Sequence, residues 1–186
     1  KEFGNLPPAA MGGFDSKQFA ELPPNVMGGF APDQFAELQP GVVGKMDPRQ
    51  FAELPPAAFG GFQPKQMKKI PQDLLTEMEP GSFKQINPDA FGGFKPKKFN
   101  SLPDNLIGQI DDGQFGELKP KLIGKMDEEI ITSFNPKAFE GMNEKQGEKM
   151  SQDVASEFDT AQIRAIPPRA LRAMSRQVFG LLEGNL

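Results

Sequence analysis

The chain has 186 residues, with 21 basic and 25 acidic side chains giving a formal charge of −4, mildly acidic and well mixed. That balance argues against a nucleic-acid groove, which needs a basic face. With no cysteine and no histidine, disulfides, thiolate metal sites, the usual general base and the commonest transition-metal ligand are all excluded.

From Leu6 onward the chain follows an eight-residue ruler. Leu6, Phe14, Leu22, Phe30, Leu38 and Met46 begin a series that reaches Leu182 without insertion or deletion, every member apolar. A second apolar series lies five residues further on, from Met11 and Phe19 to Phe179, interrupted by Gly147 and weakened at Ala155. All 17 Phe and 9 Met fall in these two series once the second is extended one octad back to Phe3. A register kept this long makes each octad one structural unit stacked on its neighbours.

Numbering each octad from its first apolar residue, Phe30-Ala31-Pro32-Asp33-Gln34-Phe35-Ala36-Glu37 is a clean copy. Proline at position 3 suits the first helical residue, because its φ is already helical and it has no N–H to satisfy. It also drives position 2 out of the α region, so the helix must break and restart in every octad. Asp15, Asp47, Asp111 and Asp159 at position 2, followed at position 5 by Gln18, Gln50, Gln114 and Gln162, have the spacing of a capping box. Positions 3 to 8 then form little more than one turn. A turn that short is unstable alone and depends on burial of its two large apolar residues, worth roughly 1.5–3 kcal/mol each.

Octads alternate in kind. Odd ones, starting at Leu6, Leu22 and Leu38, carry an apolar position 5 and mostly Gly at position 7; even ones, starting at Phe14, Phe30 and Met46, mostly carry Gln at position 5. The alternation predicts a 16-residue coil of two unlike short helices and disfavours the main alternative, three octads per coil. The expected fold is therefore an all-α, elongated solenoid of very short helices, read as one domain over 1–186. Octads are regular over 1–141 and degenerate over 142–186. Ala170 to Leu182 has no Pro and is a candidate longer helix, either a capping segment or simple divergence.

Other motifs read as parts of the array. Glu21, Glu37, Glu53 and Glu117 at position 8 of even octads read as a solvated edge, as do Lys17, Arg49, Lys65 and Lys97 at position 4. Asp111-Asp112-Gly113 lacks the full spacing of a calcium loop. The repeated Gly-Gly-Phe suggests disordered Phe-Gly segments, a reading the unbroken register opposes. No catalytic, cofactor-binding or metal-ligating residues and no cofactor emerge, and an enzyme is not expected. No apolar run is long enough for membrane insertion. The chain opens on Lys1 without a leader peptide, as expected of part of a longer chain.

Leu22-Pro23-Pro24-Asn25-Val26-Met27-Gly28-Gly29-Phe30 and Met46-Asp47-Pro48-Arg49-Gln50-Phe51-Ala52-Glu53-Leu54 resemble the tandem octad arrays of large secreted and cell-surface proteins of bacteria and some unicellular eukaryotes. More loosely, the pattern looks like the short-helix superhelices of the mesothelin family. The likeness covers the chain to about Glu140. It implies an extracellular or cell-surface structural or adhesive repeat, with a protein or cell-surface partner. The alternatives are a helical-repeat scaffold for a protein or peptide, and a disordered Phe-Gly condensate former. A run of exposed aromatics or like charges would mark the scaffold, and none is visible along the sequence.

Overall fold

The computed structural model describes residues 3–186; Lys1 and the Phe3 side chain, both part of the sequence reading, lie outside the described residues. Every regular element there is an α- or 3-10 helix. Most have four to six residues, and the longest, Arg176–Gly184, has nine.

The octad explains each short helix. Position 2 is extended, as at Asp47 with φ −66° and ψ 138°, and Pro48 then opens the helix. The capping boxes form: the Asp15 carboxylate accepts from the Lys17 and Gln18 N–H groups, while Gln18 Oε1 accepts from Asp15 N–H at 3.0 Å. Asp47–Gln50, Asp111–Gln114 and Asp159–Gln162 repeat it, and Asn143–Gln146 adds one. Asp127 makes no such cap, since its octad has Ile130 where Gln would reach back.

The first apolar series is buried from Phe30 on, and the second from Met11 through Ile163. Phe179 and Leu6 are the exceptions at the two ends. Gly147 is buried too, because a methyl there would overlap the Ala170 carbonyl oxygen. Position 5 adds a third buried series, which the sequence had shown only as alternating Gln and small apolar residues. Phe35, Phe51, Phe59 and Phe62 pack with ring centroids 5.2–6.4 Å apart, within the favourable range for aromatic pairs.

Contacts divide the chain into two compact units, Lys1–Gly93 and Phe94–Leu186. Within each, helices pack on helices 24 residues away. In the first unit Pro8–Met11, Pro32–Glu37, Pro56–Gly61 and Pro80–Lys84 form one stack, and Ser16–Ala20, Pro40–Val43, Pro64–Lys69 and Pro88–Phe91 a second. Pro24–Gly29 on Pro48–Ala52 belongs to a third. The second unit repeats the scheme. Its first stack is Asp104–Ile107, Glu128–Ser133, Gln152–Ser156 and Arg176–Gly184; its second is Asp112–Gly116, Pro136–Gly141 and Thr160–Ala165. Its third is Pro120–Ile123, Glu144–Gly147 and Pro168–Ala173. Pro96–Asn100 joins that third stack through Asn100 Nδ2, which donates to Lys125 O at 3.0 Å.

The solenoid of very short helices is as expected, but the coil has three octads, correcting the two expected from the alternation. Three is odd, so a strict alternation places every odd octad between even ones. The 16-residue pattern records complementarity along a stack and says nothing of the way around a coil. The glycines show the fit. A Cβ at Gly61, Gly93 or Gly141, each at position 8 of an odd octad, would overlap the carbonyl oxygen of Pro32, Pro64 or Asp112 in the even octad beneath. No glycine among the described residues has a positive φ, so close approach is what requires Gly at these sites.

The expected continuous helix from Ala170 to Leu182 is broken. Pro168–Ala173 ends before Met174, and Ser175 Oγ accepts from Val178 N–H to start Arg176–Gly184. A serine N-cap can restart a helix without proline.

Candidate functional site

The most organised polar chemistry is buried. Gln34, Gln50, Gln66, Gln114, Gln146 and Gln162 are each at most 1% exposed. A buried amide needs all its partners, and these come from its own octad and from the carbonyl end of a helix in the neighbouring stack of the preceding coil. Gln66 Oε1 accepts from Gln63 N–H at 2.8 Å, while its Nε2 donates to Phe35 O and Leu38 O, both at 2.8 Å. Gln50 spans Phe19 O and Leu22 O in the same way, and Gln162 spans Ile131 O and Phe134 O. One side chain thus caps its own helix and satisfies the carbonyl end of a helix one coil back. Capping was legible in the sequence; the reach of 28 and 31 residues backward was not. Gln18 is exposed and keeps only its local cap.

The glutamates of position 8 do not form a column. Glu21, Glu37, Glu53 and Glu117 lie in successive or distant stacks of a three-octad coil, all exposed. Among the described residues no group of three acidic side chains could hold a metal ion. Asp111 serves as a helix cap. Asp47 and Arg49 form an ion pair at 3.1 Å; the Arg49 hydrogen bond lowers the Asp47 pKa, and Asp47 raises that of Arg49.

An apolar recess of about 280 Å³ opens between Pro48–Ala52 and Gln72–Thr76, walled by Phe51, Leu54, Phe59, Leu74 and Met78 with Glu77 and Glu79 at the rim. It is just below the roughly 300–1,000 Å³ of typical ligand pockets and lacks their converging polar groups.

The 24-residue coil reveals one surface that the linear sequence conceals. Lys97, Lys121, Lys145 and Arg169 occupy position 4 of successive octads in the third stack of the second unit, all exposed. Of the thirteen Lys and Arg in Phe94–Leu186, ten belong to that stack's octads, with only Glu144 and Glu148 opposing them. The octads of the other two stacks hold twelve acidic residues and three basic ones. The composition is well mixed, and the fold separates it. Lys98 is the least exposed cation of the stack; burial, then the charge of Lys95, lowers its pKa. With helices about 8–10 Å apart, adjacent cations repel by roughly 0.4 kcal/mol in water. That is cheap enough to keep, and attractive to an anionic partner.

No protein-family model matches the chain, and a search of curated proteins finds no match. No helix of the described residues is long and apolar enough to cross a membrane.

Proposed function

We propose that the chain is a non-enzymatic structural repeat segment of a larger secreted or surface protein, serving as a spacer or adhesive region. One observation carries this reading. The residues held in register, the two apolar series and the Gln amides, are committed to coil-on-coil contact, while position 4, and positions 7 and 8 of the even octads, vary from coil to coil. Such a division suits a repeat whose working property is its packed array. The resemblance to surface octad arrays supports the same reading. Placed between a membrane anchor and an epitope on a cell, the chain should increase epitope access for a bulky antibody-coated bead, and two copies in tandem should increase it further. Access independent of the insert, together with no adhesion of chain-coated beads to cells, would overturn it.

A second reading, a helical-repeat scaffold for a protein partner, is favoured by the cation ladder Lys97, Lys121, Lys145 and Arg169. It requires that an acidic protein bind the chain with an affinity that falls as salt rises.

A further inference from the structure

We propose that the cation ladder of the second unit docks side by side against the first stack of a second copy of this chain. The inference rests on the scaffold reading and names its partner. Among the described residues, Lys97, Lys121, Lys145 and Arg169 have no carboxylate within salt-bridge distance. Their charge is left for something outside the chain.

The complementary surface is on the same molecule. In the first stack, Glu129 and Asp153 hold position 4, the place the ladder cations hold in their own octads, and both are exposed. The second stack has Gly113, Lys137 and Ala161 there, so it fits less well. Asp127, Glu128, Glu129 and Asp153 also line a polar recess of about 460 Å³ between two coils, where Lys125 from the adjoining third-stack octad is the one cation among four carboxylates. They are too dispersed to share a metal ion, and the opening admits the ammonium groups of lysine side chains, each with three donors. Both surfaces repeat once per coil of the same fold. Setting one cation opposite Glu129 therefore brings the next opposite Asp153, while the flanking first-stack octads carry the neutral Asn105 and Gln177 at position 4.

Charge balance favours a second copy over a polyanion. Phe94–Leu186 has thirteen basic and fourteen acidic residues, so the docking units themselves are nearly neutral and only the −4 of the whole chain opposes pairing of two copies, whereas a polyanion binder gains from a net positive charge that this chain lacks. The contact joins unlike faces and leaves one of each free, so it can propagate beyond a dimer.

Sedimentation of the full chain tests this at roughly 10 mM and roughly 1 M salt, where the Debye length is about 30 Å and 3 Å. The weight-average mass should grow with concentration at low salt and return to that of the monomer at high salt. K97E/K121E/K145E/R169E should be monomeric at both, as should D127K/E128K/E129K/D153K, each with an unchanged circular dichroism spectrum. Mixing the two variants should restore association. A wild-type chain that stays monomeric at low salt overturns the proposal, and so does association indifferent to the reversals. Binding of an acidic protein by a chain that remains monomeric overturns it while leaving the scaffold reading standing; if neither association occurs, both fall.

Discussion

Gln50, Gln66 and Gln162 each serve three backbone groups in two coils, so their loss should cost more than an ordinary hydrogen bond. Gln66→Ala leaves Gln63 N–H, Phe35 O and Leu38 O without this partner. Stranded buried groups cost about 1–3 kcal/mol, and we expect a loss of about 2–3 kcal/mol in urea unfolding. Gln18→Ala removes only an exposed local cap and should cost about 0.5–1 kcal/mol. Equal costs would show that the amide's reach to the preceding coil contributes nothing. Gln66→Glu separates the two functions by pH. The carboxylate can accept from Gln63 N–H but cannot donate to the two carbonyls, and burial raises its folded-state pKa above the unfolded value of about 4.3. The folded state then binds more protons across that window. Stability should be greatest in acid and fall as pH rises above about 4.3, as followed by urea midpoints. A pH-independent midpoint difference from wild type would refute this.

Where octad meets octad, glycine is placed by contact. Gly61→Ala and Gly141→Ala should each destabilise by about 1–3 kcal/mol, because a methyl overlaps a backbone oxygen that only a coil shift can relieve. Gly41 and Gly81 have nothing within 4 Å of an added Cβ and lie in helices. There Ala should stabilise by about 0.4–1 kcal/mol. Thermal melts of the four variants should split into two pairs of opposite sign. The octad boundaries, the N1 prolines, the Asp–Gln caps and the two apolar series were legible from local chemistry, since each reflects bonds within eight residues. The coil was not, because its partners are three octads apart and opposite in kind. Likeness between residues therefore peaks at 8 and 16, while contact occurs at 24. Lys97 and Lys121 look unrelated in sequence for that reason, and the cation ladder could not be read before the coil was known.

Within a unit every octad has the same kinds of neighbour: the adjoining octads in sequence, and those three before and three after. Both sets are of the opposite kind, so removing two octads preserves every pairing and removing three does not. Deleting 38–53 joins Glu37 to Leu54, even to odd; deleting 30–53 joins Gly29 to Leu54, odd to odd. The shorter deletion removes two-thirds of a coil and should still melt cooperatively within a few degrees of the parent. The longer removes a whole coil and should melt earlier and more broadly, since like octads then face each other. Calorimetry of the two deletions decides it, and the reverse order would rule out alternation as the packing rule.

That arithmetic also constrains how such an array can change length while keeping a marked side. Adding two octads satisfies the interior but turns everything downstream by two-thirds of a revolution, moving a charged edge to a different side. Only a multiple of 48 residues, the first length divisible by both 16 and 24, leaves core and surface unchanged. The lysine edge of the second unit runs through octads of both kinds, so duplication of the 16-residue pair alone cannot extend it. Its cations are exposed and set one residue at a time, since the alternation that governs the core does not specify them.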